Sequence, residues 1–392
     1  MLAPIAPAAT GNGLAMRCHA VVRAAALHHE VVLVVVPVAG SVRGAPEPAD
    51  AYVTRFDLAP SARGDRRPLL AWMADPAWRD RLAALAPLPD AVAAAAPSRA
   101  SEVIDLLGNP DVAGVVAVRL SLAPLALAVA ERLGAPLVVD ADDDDVAFHL
   151  RAQDPDAADR WRRVGAVCLP SARLVLVASG TEQASVAERW HLGDRVVVVP
   201  NAVDLPPVAA SPAGGHRLLL VGNLTYGPNV AGARWLVEEV LPLLPATWQI
   251  DLVGAPGAPV SALAGERVAV RGWVAEVTSS YAGTTVVAVP LHAGSGTRIK
   301  VLEAFAHGRP VVSTTVGAEG IAARHDEHLL LADDPATFAR AVLRAAEPTT
   351  AVRLTAAARA LVARAYAADD VATRLGDLLA GVTGADVDGH SR

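Results

Sequence analysis

The sequence predicts an α/β protein built as two doubly wound halves, and three observations carry that prediction. Apolar runs of strand length alternate with longer helical stretches along most of the chain, a pattern that buries parallel strands beneath helices. Hydrophobic residues make up 53% of the 392 residues and charged residues 19%, so the chain folds and is long enough for two sizeable cores. A stretch rich in proline and alanine, Leu205–His216, interrupts the alternation near the middle, and the pattern then restarts.

In the first half, Ala15–Leu27 has helical spacing and Val31–Val36 reads as a clear strand. Leu2–Ala6 is short and contains proline, which leaves an opening strand there in question. Gly108-Asn109-Pro110 marks a turn before the strand Val112–Arg119, and Pro124–Leu133 continues as a helix. Pro136–Asp140 and Leu174–Ala178 read as strands, Thr181–His191 as a helix capped by Thr181, and Val196–Val199 as a strand. The second half reads as strand Arg217–Val221, loop Gly222–Asn229, helix Val230–Leu241 and strands Trp248–Val253 and Val268–Arg271. After Thr285–Pro290 come a short helix, a strand from Val311, a strand at Leu329–Leu331 and a helix over Pro335–Ala346. The Ala-rich stretch Val352–Leu379 reads as helix broken near Asp369-Asp370.

Composition narrows the function. The formal net charge of −7 gives no global attraction to nucleic acid. Cys18 and Cys168 stand far apart without metal-ligand spacing, so two buried structural thiols in a reducing cytoplasm are expected. The N-terminus lacks a basic region followed by a long apolar core, so no leader is expected. Val112–Ala130 is apolar but carries Arg119 in its middle and Pro124 soon after, which favours strand plus helix over a membrane span.

The densest chemistry lies between Gly294 and Pro310. Gly294 and Gly296 permit a tight turn and close approach of backbone to a ligand, and Ser295 or Thr297 can cap the helix that follows. Free N–H groups and the helix dipole favour an anion there, and Arg298 and Lys300 add cations beside it. Thr297, Lys300 and Glu303 share one helix face by their spacing, with Glu303 about two turns in. Gly308 and Pro310 then stop the helix. Phosphates at the loop and a ribose at the carboxylate would suit this arrangement.

Glu303-Ala304, Ala306, Gly308 and Pro310-Val311-Val312 resemble the donor-binding segment of the retaining glycosyltransferases of family 4, glycosyl transferases group 1. The resemblance implies the GT-B architecture, two Rossmann-like domains facing a cleft: an acceptor domain over 1–205, a linker over 206–216, a donor domain over 217–360 and, over 361–392, a helix crossing back to the first domain with a flexible tail. Further segments are similar to the family's. Gly11-Asn12-Gly13 stands where the family has a Gly-rich loop touching donor phosphate or acceptor, with an ordinary loop as the other reading. His28-His29-Glu30-Val31 matches a helix-to-strand turn with a structural role. Asp140 and the run Asp142–Asp145 resemble an Asp-rich segment facing the cleft, which makes Asp140 or Asp143 a candidate contact, with a solvated loop as the bland alternative and no metal expected. Arg119, at the end of an apolar strand, could hold an anionic sugar or pair with the Asp run. Ser179-Gly-Thr-Glu182 and Pro200-Asn201 to Asp204 resemble the end of the first domain and suit turn hydrogen bonds.

Two departures from the family stand out. Where it has Gly-Arg and a nearby Lys, this chain has Gly222-Asn223, so Arg298 and Lys300 must supply the positive charge for a diphosphate. The usual pair of glutamates spaced by seven residues would place its first member at position 295, which is Ser295; His292 or Asn223 could substitute there, or the donor differs, or activity is lost.

The resemblance therefore implies a glycosyltransferase of the hexosyl type, moving a sugar from a nucleotide-sugar to a sugar, lipid-linked or small-molecule hydroxyl in polysaccharide, glycolipid or other glycoconjugate synthesis. Arg298, Lys300 and Glu303 are its expected catalytic residues. Gly222, Asn223, Gly294, Ser295, Gly296 and Thr297 complete its donor site, and Gly11, Asn12, Gly13, Arg119, Asp140 and Asp143 form its acceptor side. No cofactor, metal or nucleic acid is expected, and the location is cytoplasmic with room for peripheral membrane contact. The alternatives are a non-catalytic nucleotide-binding protein and a nucleotide-sugar epimerase or phosphorylase on the same fold.

Overall fold

The computed structural model describes residues 1–9, 11, 13–38, 53–59, 76–108, 110–208, 216–274, 276–294 and 298–384. The chain forms two compact units, one of Met1–Ala9, Leu14–Pro200 and Val371–Arg392, the other of Thr10–Gly13 and Asn201–Asp370.

The first unit is a seven-stranded parallel sheet. Its strands are β1 (Leu2–Ala3), β2 (Val31–Val35), β3 (Val53–Asp57), β4 (Val115–Val118), β5 (Leu137–Asp140), β6 (Leu174–Val177) and β7 (Val196–Val198), in the order β3-β2-β1-β4-β5-β6-β7. The short proline-flanked opening segment is thus a central strand. Leu2 pairs with both Val34 and Ala117, and neighbours on each side supply the partners that two residues could not find alone. β3 is a strand that apolar periodicity does not reveal, because Thr54, Arg55 and Asp57 dilute it.

Helices cover both faces. The helix after β6 runs over Gly180–Arg189, and its cap is Ser179 rather than Thr181: Ser179 has extended backbone and accepts from the Glu182 N–H at 3.3 Å, whereas Thr181 already lies inside the first turn. Gly165 has no Cβ because the Trp190 ring sits there, 2.3 Å from where that atom would stand. The last helix, Ala368–Thr383, packs beside the first, Gly13–Ala26: Gly376 lies against the Ala24 carbonyl, His28 meets Asp377 at 3.1 Å and His29 meets Thr383 at 2.8 Å. Both histidines therefore serve helix packing.

The second unit is a six-stranded parallel sheet of β8 (Arg217–Val221), β9 (Gln249–Val253), β10 (Val268–Gly272), β11 (Val286–Val289), β12 (Val311–Ser313) and β13 (Leu330–Leu331), ordered β10-β9-β8-β11-β12-β13. The helix after β8 starts at Gly227, three residues before the sequence reading, because Pro228 fits a first helical turn, and it loosens into a π-helical turn at Leu236–Val240. The Ala-rich stretch divides into Pro348–Ala365 and Ala368–Thr383. At that break the Val203 N–H donates to the Tyr366 carbonyl and the Ala368 N–H to the Val203 carbonyl, which ties the segment from Asn201 into the second unit.

In each sheet the chain order reverses direction at the centre, between β1 and β4 in one and between β8 and β11 in the other. Ligands of open parallel sheets bind beyond the carboxyl ends of strands at such points. Among the described residues no helix is long and apolar enough to cross a membrane.

Candidate functional site

In the second unit the reversal point is flanked by the loop after β8, which begins at Gly222, and the loop after β11, which runs from Pro290 through Gly294. The helix following that second loop spans Ile299–Ala306, and Arg298 stands at its N-cap with no side-chain cap bond. Ser295, Gly296 and Thr297 lie outside the described residues. The late helix start puts Glu303 little more than one turn in, nearer the loop than the sequence spacing had placed it.

Lys300 links the two loops. Its Nζ donates to Asn229 Oδ1 at 2.7 Å, and Asn229 Nδ2 donates to the Asn223 carbonyl at 2.8 Å. Gly222 has φ +152°, and a Cβ there would stand 2.9 Å from Lys300 Nζ, so glycine is what lets the ammonium come this close to the backbone. Sequence periodicity does not point to Asn229, which lies in an apparent loop after Pro228; its place in the first turn of the helix Gly227–Trp235 is the available signal. The Asn223 side chain is engaged locally, accepting from the Thr225 N–H at 3.0 Å and the Thr225 hydroxyl at 2.7 Å. That turn occupies the Asn223 side chain that could otherwise stand in for the absent first glutamate. His292 sets its ring edge-on to Trp235, 4.8 Å between centroids.

Arg298 is buried, folds back toward Gly294, and donates from Nε to the Val316 carbonyl at 3.3 Å. The Val316 turn is anchored in turn, since the Gly317 N–H donates to the Thr314 hydroxyl, which itself bonds the Leu291 carbonyl. Burial, and then the like charge of Arg298, push the Lys300 ammonium down to about 8. Two cations held this close in a partly desolvated loop favour a multivalent anion beside them. Glu303 accepts from the Tyr281 hydroxyl at 3.1 Å, and burial raises its carboxyl above the ordinary value. Gly222, Asn223, Gly294, Arg298, Lys300 and Glu303 thus come together beyond the carboxyl ends of the central strands β8 and β11, with Asn229 and Tyr281.

The first unit has its own charged cluster beyond β4 and β5. Arg17, on the helix Gly13–Ala26, holds Asp140 through two bonds of 2.8 and 2.7 Å and also donates to the Val199 carbonyl at 2.7 Å. Arg119 takes φ +79°, a conformation that costs a non-glycine residue about 1–3 kcal/mol. It pairs there with Asp143, and with Asp142 and Asp145 at 3.6 Å each. Arg119 thus forms ion pairs with the Asp run. Asp144 caps the helix Asp145–Arg151 and is bridged by Arg189 at 2.7 and 2.9 Å. Gly11 is an exposed residue with φ +93°, Gly13 opens the first helix, and Asn12 lies outside the described residues. Among the described residues no group of three or more His, Cys, Asp or Glu is arranged to hold a metal ion.

Crowding of carboxylates has a pH consequence. Burial pushes Asp142 and Asp145 up to about 6, and Glu182, beside Asp142, Asp143 and Asp144, up to about 8. A carboxyl raised in the folded state contributes stability that is complete below its unfolded value, about 4.3 for Glu, and lost as pH rises through the folded value. Glu182→Gln is therefore expected to raise the denaturant midpoint at pH 9 and leave it nearly unchanged at about pH 4, below the unfolded value. A wild-type midpoint that falls no more than the variant's between those pH values would sink this account.

Comparison with known proteins adds three findings. Residues 215–347 match the family model described as glycosyl transferases group 1. Over 140 residues the chain is 26% identical to an uncharacterized 44.6 kDa protein in the cps region of Klebsiella pneumoniae, a match that spans 32% of this chain and 36% of that protein's length. Over almost its full length the chain is similar to solved structures, among them the following two. Anabaena Alr3699/HepE in complex with UDP and glucose has a TM-score of 0.70 at 15% identity, covering 97% of this chain and 98% of that one. Sucrose-phosphate synthase from Thermosynechococcus elongatus has a TM-score of 0.69 at 18% identity, covering 97% and 96%. The fold is that of the GT-B glycosyltransferases.

Proposed function

We propose that this protein transfers a sugar from a nucleotide-sugar to an acceptor hydroxyl. The observation that carries the reading is the convergence of Arg298, Lys300 and Glu303 at the reversal point of the second sheet, within the segment that matches the glycosyl transferases group 1 model. In this reading the diphosphate lies against the helix start, Arg298 and Lys300; Glu303 accepts from the ribose; and the cations offset charge that develops on the departing nucleotide. UDP is the first nucleotide to test, because the Anabaena neighbour is a complex with UDP and glucose. Transfer of a hexose with retention, as in family 4, follows from the resemblance around Glu303. Synthesis of a polysaccharide, glycolipid or other glycoconjugate in the cytoplasm, with room for peripheral membrane contact, follows from the resemblance.

A second reading, a nucleotide-binding protein without turnover, rests on Ser295 in place of the first glutamate. A melting panel with UDP, GDP, ADP and their sugar conjugates tests both. Ligand at about a hundred times Kd adds roughly 2.7 kcal/mol of stability. One nucleotide is expected to raise the melting temperature of wild type and not of Glu303→Ala. A shift accompanied by turnover of the sugar conjugate supports transfer, and a shift without turnover over an acceptor panel supports the second reading. No shift with any nucleotide overturns both.

A further inference from the structure

We infer that Tyr281 is a positioning residue for Glu303, fixing its carboxylate so that the site discriminates a ribose from a deoxyribose; this rests on the nucleotide reading above. Tyr281 belongs to the short helix Thr278–Ala282 and is wholly buried within an apolar cluster that includes Val287, Leu302 and Phe305. Phenylalanine would fill that space as well. What requires explanation is the phenol oxygen, a polar group in an apolar setting that is retained only with a partner. The partner is Glu303 Oε2 at 3.1 Å, with the Lys300 carbonyl more distant at 3.5 Å.

The tyrosine ring is itself held. It stacks on His307, 4.6 Å between centroids and 15° between planes, and His307 is the residue that ends the helix carrying Glu303. Ring and carboxylate are thereby fixed to the same turn of helix, one through its face and the other through its tip. Burial, reinforced by the Glu303 charge, raises the phenol well above its ordinary value, so the hydroxyl stays a donor throughout the working range of pH. With Oε2 occupied by that donor, the carboxylate is locked in one orientation and presents Oε1 to a ligand. A ribose hydroxyl donating to a pre-set oxygen forgoes the rotamer entropy a free glutamate would lose. Oε1 is assigned to the ribose 2′-hydroxyl, which a 2′-deoxyribose lacks, so the deoxynucleotide gains nothing from the ordering.

The test is calorimetric titration of the full chain, wild type and Tyr281→Phe, with the diphosphate that the melting panel selects and with its 2′-deoxy counterpart. Wild type is expected to bind the ribonucleotide more tightly. Tyr281→Phe is expected to weaken the ribonucleotide about tenfold, the loss of one hydrogen bond to a charged group, while leaving the deoxynucleotide unchanged. Equal weakening of both nucleotides, or of neither, overturns the positioning role while leaving the donor site intact. Absence of any nucleotide binding by wild type overturns the nucleotide reading and this inference with it. The melting temperature without ligand checks that Tyr281→Phe, which keeps the ring and its stack on His307, folds as wild type does.

Discussion

Lys300→Ala is expected to lower kcat/KM for the proposed sugar transfer by about a hundred- to a thousandfold, the usual effect of deleting one preorganised group that faces developing charge. The expectation follows from position and from charge together. Lys300 Nζ is held by Asn229 within reach of the Gly222 backbone, so it does not reorient when a ligand arrives. Arg298 is anchored separately, on the Val316 carbonyl. The pH profile separates this role from simple packing. Burial and Arg298 lower the Lys300 ammonium to about 8, so in the free protein its charge is complete well below that value and lost as pH rises through it. Because kcat/KM reports the free enzyme, its profile should descend near pH 8 in wild type. Lys300→Arg keeps the cation and should push that descent to higher pH even if it lowers the plateau. A flat wild-type profile from pH 7 to 9, or a Lys300→Ala loss smaller than tenfold, would remove Lys300 from the reaction.

Much of the candidate site in the second unit was legible because it is local. Gly294, Arg298, Lys300, Glu303, Gly308 and Pro310 lie within one loop-helix-strand passage, where spacing alone fixes which groups share a face. The contacts that complete it come from elsewhere in the sequence. Asn229 reaches Lys300 across seventy-one positions and Tyr281 reaches Glu303 across twenty-two, and no periodicity links such pairs. β1 was obscured for a related reason. Its two residues form a strand only because β2 and β4 flank them, so the determinant lies in neighbours thirty and more positions away. The Asp run shows the opposite failure. Its composition was plain, but the number of arginines that converge on it was not, and their arrangement decides what each carboxylate can still do.

Arg17 and Asp140 turn that point into a measurement. Arg17→Met is expected to destabilise the protein by about 3–5 kcal/mol, since it leaves the Asp140 charge buried without its counter-charge. Both side chains are sealed from solvent, Arg17 at 1% and Asp140 at 0% exposure, and their two bonds of 2.8 and 2.7 Å use the carboxylate fully along one edge. Arg17 also secures the Val199 carbonyl just after β7, so its removal loosens a strand end as well as the pair. Replacing both residues, Arg17→Met with Asp140→Asn, should recover part of the loss, because a neutral amide left behind costs less than an ion. Denaturant midpoints of the two single variants and the double variant give the coupling. The acceptor-contact reading of Asp140 predicts something different: Asp140→Asn would raise KM for the acceptor at an unchanged midpoint. A buried bidentate pair predicts a lower midpoint first, with any kinetic change following from it. Asp143, at 24% exposure and paired with Arg119 beside Asp142 and Asp145, is then the carboxylate of the run better placed to meet a ligand, so Asp143→Asn is the natural partner in the kinetic comparison.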